Sequence, residues 1–210
     1  MQQVSAIDAL QRLRDGNRRF VSSQANWQMD VGPARRAALL NGQEPFAIIL
    51  GCSDSRVPAE LIFDQGLGDL FVIRVAGNIV ASSQVGSVEF AAMQYGTRLV
   101  VVMGHQHCGA VTATLDELQG RATTESRNLR SIVDRVRPSV QTVLAASRTD
   151  DFHELLRASV RANVRASAGH LRHGSWLLEQ LIQDNGLVVV GAEYSLETGQ
   201  VDFFDGLPTD

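Results

Sequence analysis

The sequence predicts an α/β fold: a mainly parallel central β-sheet of four parallel strands plus an antiparallel edge strand, flanked by helices and preceded by an N-terminal helical arm. Three observations predict it. Short apolar runs rich in Ile and Val, bounded by Gly, Pro and Asn, recur along the chain and read as buried strands. Segments of helical periodicity separate them, and strands alternating with helices imply parallel pairing through crossovers. With 210 residues, 44% hydrophobic and 20% charged, the chain is long enough for one self-sufficient core. We expect a single domain over residues 1–210, with 1–42 as the arm and 45–210 as the α/β core and C-terminal helices.

The elements follow in order. Ala6 to Val21 carries apolar residues at Ile7, Leu10, Leu13, Phe20 and Val21 with charged residues between them. This is an amphipathic helix, expected to lie on another surface rather than inside the core. Residues 26–32 form a loop in which Trp27 is a packing anchor. Pro33 is well placed to start a second helix, which breaks at Asn41-Gly42. The run Phe46 to Leu50 is the first core strand. Pro58 to Phe63 reads as a short helix, Leu70 to Val75 as a second strand, and Ser83 to Tyr95 as a helix stopped by Gly96. Leu99 to Met103 is the third strand, followed by a helix from about Gly109. Residues 120–128 are the most polar stretch and the expected flexible loop. Leu129 to Ala146 is helical with an interruption at Pro138, and Asp151 to Arg165 and Ser175 to Asp184 are two more helices. Leu187 to Val190 is a fourth buried strand. Gln200 to Phe204 is the edge strand, reached through the Glu197-Thr198-Gly199 turn.

Composition excludes several function classes. The net charge of −4 leaves no basic footprint, so neither nucleic acid nor an anionic membrane is an expected partner. All 19 basic side chains are arginine, which removes Schiff-base catalysis and a phosphate-loop lysine together. No apolar run approaches the ~18 residues of a membrane span, and the first residues lack the pattern of a secretory signal. A cytoplasmic protein is expected. Its two cysteines are then inert core thiols or metal and redox ligands, not a disulfide framework.

Two stretches carry chemistry. Gly51-Cys52-Ser53-Asp54-Ser55-Arg56 follows the first strand, and Gly104-His105-Gln106-His107-Cys108-Gly109 follows the third. Both fall past strand ends, where open α/β sheets bind ligands. Cys52, His105 and Cys108 offer two thiolates and one imidazole, a donor set suited to tetrahedral zinc with a fourth position open. That position can go to Asp54 or to water. His107 is the competing imidazole, although its spacing to Cys108 is tight for joint chelation, and it is also a candidate proton shuttle. His153, His170 and His173 lie in Arg-rich helical surroundings and read as surface residues. Asp54 and Arg56 read as a functional carboxylate–guanidinium pair, with a loop-bracing ion pair as the plainer alternative.

Together the two stretches resemble the zinc-binding motifs of the β-class carbonic anhydrases. The resemblance extends to Gly16-Asn17-Arg18-Arg19-Phe20, to Phe71-Val72-Ile73-Arg74 with Gly77-Asn78, and to Val189-Val190-Gly191-Ala192 with Thr198-Gly199. It implies Zn²⁺ bound by Cys52, His105 and Cys108, with Asp54 as a possible fourth ligand in a closed state. It implies Asp54 and Arg56 as the catalytic dyad, orienting a zinc-bound hydroxide that attacks carbon dioxide to give bicarbonate and a proton. Gln43, Phe71 and Gly109 would face the substrate, the first two supplied by the neighbouring subunit of a homodimer or tetramer. Phe90 stands where many members carry a tyrosine. Ile49 stands where the allosteric bicarbonate-binding subgroup carries tryptophan, so that regulation is not expected. Two other functions fit the same site: hydrolysis of carbonyl sulfide or carbon disulfide, and a catalytically silent zinc-binding protein.

Overall fold

The computed structural model describes residues 4–24 and 31–208. Trp27 and most of its loop lie outside the described residues. The sheet is built from β1 (Ala47–Gly51), β2 (Leu70–Arg74), β3 (Leu99–His105), β4 (Val188–Tyr194) and β5 (Val201–Asp205). The strands lie in the order β2-β1-β3-β4-β5. The first four are parallel and β5 runs antiparallel to β4. Every residue of β1 and β3 is buried. That is why these strands read as unbroken apolar runs: helices cover both faces, so neither face carries a polar alternation.

The faces divide the core. Ile49, Val101, Met103 and Val190 point to one side, towards α1 (Ala6–Val21) and α3 (Ala59–Ile62). Ile48, Leu50, Val100, Val102 and Val189 point to the other. There they meet α4 (Ser82–Gln94), α7 (Phe152–His173) and α8 (Trp176–Asp184). Each such side chain fully withdrawn from water contributes about 1.5–3 kcal/mol. The remaining helices are α2 (Pro33–Ala38), α5 (Gly109–Leu118) and α6 (Arg127–Ala146). No described helix is long and apolar enough to cross a membrane.

Three elements differ from the sequence reading. First, α1 does not lie on an outside surface: Ala9, Leu10 and Leu13 are buried in the chain's own core. Buried Asn17 fastens it there. Its Nδ2 donates to the Ile62 and Gly199 carbonyls at 3.2 and 2.9 Å, and its Oδ1 accepts from the Val201 N–H at 2.9 Å. Second, α6 starts at Arg127, inside the expected loop, and runs through Pro138 without a break. Pro138 is exposed, and Asp134, whose carbonyl it leaves unbonded, is on the solvent side as well. Water can therefore satisfy that group. Third, α7 continues to His173, past the expected end at Arg165, because Val164, Ala168 and Leu171 keep the helical spacing of the buried face.

Gly16 shows how closely α1 is seated. A Cβ at this position would lie 1.8 Å from the Phe63 carbonyl oxygen, a backbone atom that no rotamer change removes. Gly16→Ala is therefore expected to destabilise the protein by about 3 kcal/mol, as overpacking does. Urea unfolding should show a lower midpoint with an unchanged slope.

Candidate metal centre and active site

The strand order turns about β1: the chain leaves it towards β2, then crosses over to β3 on its other side. This reversal makes the carboxyl ends of β1 and β3 the natural crevice of the sheet. Cys52 directly follows β1, His105 ends β3, and Cys108 caps the N-terminus of α5. The sulfurs of Cys52 and Cys108 and a His105 ring nitrogen lie within 4.8 Å of one another, all in buried residues. His107 makes this possible through its backbone. Its φ of 54° puts a left-handed turn between His105 and Cys108, so both side chains reach the same place.

The donor atoms fit a metal ion. His105 Nδ1 lies 2.8 Å from the Gln106 carbonyl oxygen, which can only accept, so the ring proton sits on Nδ1 and the Nε2 lone pair is free. Nε2 is buried without a hydrogen-bond partner. An orphaned buried nitrogen is costly unless something binds it. The thiols share their protons unequally. A hydrogen bond from Cys108 holds Cys52 below the usual thiol range, against the effect of burial. Cys108 is pushed up by the same hydrogen bond and by burial. Two further groups favour a thiolate. The Gly77 N–H donates to Cys52 Sγ at 3.4 Å, and first-turn N–H groups of α5, from Ala110 and Val111, act on Cys108.

Asp54 stands beside this cluster. Its Oδ1 accepts from Arg56 Nε at 2.9 Å and from the Arg56 backbone N–H at 3.0 Å, and its Oδ2 accepts from Arg56 Nη2 at 2.7 Å. The Arg56 hydrogen bonds hold the carboxyl well below the usual carboxylate range, so it stays ionised through neutrality. Oδ2 is 3.8 Å from His105 Nε2, beyond hydrogen-bonding reach. Arg56 Nη2 also reaches the His107 carbonyl at 3.4 Å, linking the two motif loops.

Other expected residues fall elsewhere. The His107 side chain is exposed and meets the His153 ring edge-on at 6.4 Å, outside the cluster. His153, His170 and His173 are exposed. Gly109 opens α5 beside Cys108, with nothing within 4 Å of where a Cβ would stand. Gln43 precedes β1 and Phe71 lies near the start of β2, at the opposite end of the strands from Cys52. Phe71, Phe90 and Tyr95 form a three-ring cluster there, with centroids 5.8–6.2 Å apart.

Sequence reasoning assigned no role to Arg74 or Gly77. Arg74 ends β2 and donates to the Cys52 and Asp54 carbonyls at 3.0 and 2.6 Å, fixing the loop that carries both residues. Its signal was a charge closing an apolar strand. Gly77 adopts φ 69°, and a Cβ there would stand 3.0 Å from Ala110. Only a residue without a side chain brings its N–H so close to Cys52.

Comparison with known proteins agrees with this geometry. A family model described as carbonic anhydrase matches residues 47–201. A carbonic anhydrase of Mycolicibacterium smegmatis is 38% identical over 204 residues, covering 96% of this chain and 95% of its own length. The solved β-carbonic anhydrase CcaA shares 27% identity at a TM-score of 0.73, over 94% of this chain and 95% of that one. One of two tetrameric β-carbonic anhydrases from Sordaria macrospora has the same fold, with a TM-score of 0.74 and 23% identity over 90% and 94% of the two chains. With matches of this length and identity, the chain belongs to the carbonic anhydrase family, in its β class.

Proposed function

We propose that the chain catalyses the reversible hydration of carbon dioxide to bicarbonate and a proton at one zinc ion held by Cys52, His105 and Cys108. The observation that carries this is the orphaned Nε2 of His105, buried beside two sulfurs, with an ionised Asp54 3.8 Å away. Zinc bound there supplies a Lewis acid that lowers the pKa of water towards neutrality. Two thiolates and a neutral imidazole cancel its charge, so the surrounding groups must do more of the orienting.

Asp54 does that work in this reading. Ionised, it only accepts hydrogen bonds. Held at three points by Arg56, it takes a hydrogen bond from the attacking water and aims the oxygen lone pair at the carbon of carbon dioxide. The proton released passes to solvent. A purely structural zinc would have no use for such a pair, which counts against a silent binding protein.

A second copy completes the site. Gln43 and Phe71 lie at the far end of their own sheet and so serve a partner's centre: Phe71 as apolar wall, Gln43 as the amide facing the substrate. Leu40, Phe90, Met93 and Trp176 are 53–83% exposed in one chain, and apolar surface of that kind usually marks an interface. The assembly is at least a homodimer, and a tetramer accords with the Sordaria relative. The two free cysteines suit a reducing cytoplasm. Stopped-flow carbon dioxide hydration run beside carbonyl sulfide turnover tests the reaction. Fast hydration is expected, whereas negligible hydration with rapid carbonyl sulfide turnover would replace this reading.

A further inference from the structure

We propose that Tyr95 is a positioning residue whose hydroxyl holds the Gln43 amide in the orientation a partner's active site uses. The inference rests on the reading of Gln43 as the residue facing the partner's substrate. Gln43 Nε2 donates to the Tyr95 hydroxyl at 3.0 Å, the one side-chain hydrogen bond described for this glutamine. The backbone that follows it is already fixed. Thr97 Oγ1 donates to the Pro45 carbonyl at 2.7 Å, and the Phe46 N–H to the Asp69 carbonyl at 2.9 Å. The side chain still has three free torsions, and Tyr95 removes that freedom before substrate arrives. Preorganisation of this kind is what a positioned group needs to help a small, weakly polar substrate such as carbon dioxide.

Tyr95 is itself well anchored. It caps α4, with its N–H bonded to the Ala91 carbonyl at 3.1 Å. Its ring packs against Phe71 at 6.1 Å and edge-on against Phe90 at 5.8 Å. The ring therefore joins the apolar wall to the amide and places both relative to the same helix end. With one N–H of Gln43 given to Tyr95, its second N–H and its carbonyl oxygen remain for the substrate side. Phe90 and Phe71 carry no hydroxyl, so Tyr95 alone can set the amide within this three-ring cluster.

Tyr95→Phe keeps the ring packing and deletes only the hydroxyl, and a cycle with Gln43→Ala isolates the coupling. Tyr95→Phe is expected to lower kcat/KM for carbon dioxide by about two- to tenfold, the range of one neutral hydrogen bond. Zinc content, melting temperature and the pH midpoint of kcat/KM should stay unchanged. In the Gln43→Ala background the same substitution should have no effect. An equal loss in both backgrounds assigns Tyr95 to packing and overturns the proposal. So does a Gln43→Ala loss with none from Tyr95→Phe. If Gln43→Ala leaves kcat/KM intact, the reading of Gln43 has failed and the positioning role goes with it.

Discussion

Cys108→Ala is expected to abolish carbon dioxide hydration, by about three orders of magnitude or more, and to reduce bound zinc to a small fraction of one ion per chain. Cys108 is almost wholly buried and supplies one of the three donor atoms gathered at the carboxyl ends of β1 and β3. With its sulfur gone, one thiolate and one imidazole remain, too few for a closed tetrahedral set. The small alanine still fits the start of α5, so circular dichroism should show the fold retained. Elemental analysis and stopped-flow hydration on the same sample read the result. A variant that keeps full zinc would place the metal elsewhere.

Asp54→Ala separates binding from chemistry. It is expected to cost about 10²–10⁴-fold in kcat/KM, the range of a positioned acid–base or hydrogen-bonding group, with zinc content nearly unchanged. The carboxylate is 3.8 Å from His105 Nε2 and engaged by Arg56, so its loss removes none of the three gathered donors. It leaves Arg56 exposed to water and free of its partner, which costs little stability at the surface. Activity within a fewfold of the parent would reduce the pair to a loop brace. Loss of zinc together with activity would make Asp54 part of the binding set instead.

Much of the fold was legible because its physics is local. The buried strands are apolar on both faces, so Phe46 to Leu50 and Leu99 to Met103 stood out with no knowledge of their neighbours. The cluster of candidate metal ligands was legible through residue type: cysteine and histidine past two strand ends, brought together by the fold, are the donor set expected of a zinc site. What stayed hidden depended on tertiary placement. Proline propensity suggested a break at Pro138, yet the unbonded group faces water and the helix continues. The helix expected to end at Arg165 continues as α7, because Ala168 and Leu171 extend its buried face. The amphipathic face of α1 reads alike whether it covers its own core or a neighbour. Seating it at home depends on Gly16 and Asn17, whose partners lie 45 or more positions away. Gln43 and Phe71 were recognisable as residues, but their place at the far end of the sheet follows from strand direction. The Tyr95 contact needs two segments 52 positions apart.

The central claim is that the cluster of Cys52, His105 and Cys108 binds zinc and hydrates carbon dioxide. The most direct test measures hydration by stopped flow against bound zinc per chain, as zinc is returned to chelator-stripped protein. The account predicts a rate that rises in proportion to zinc, reaches its plateau at one ion per chain, and extrapolates to none at zero. Full activity in the stripped protein, or full zinc loading with no hydration, would contradict it.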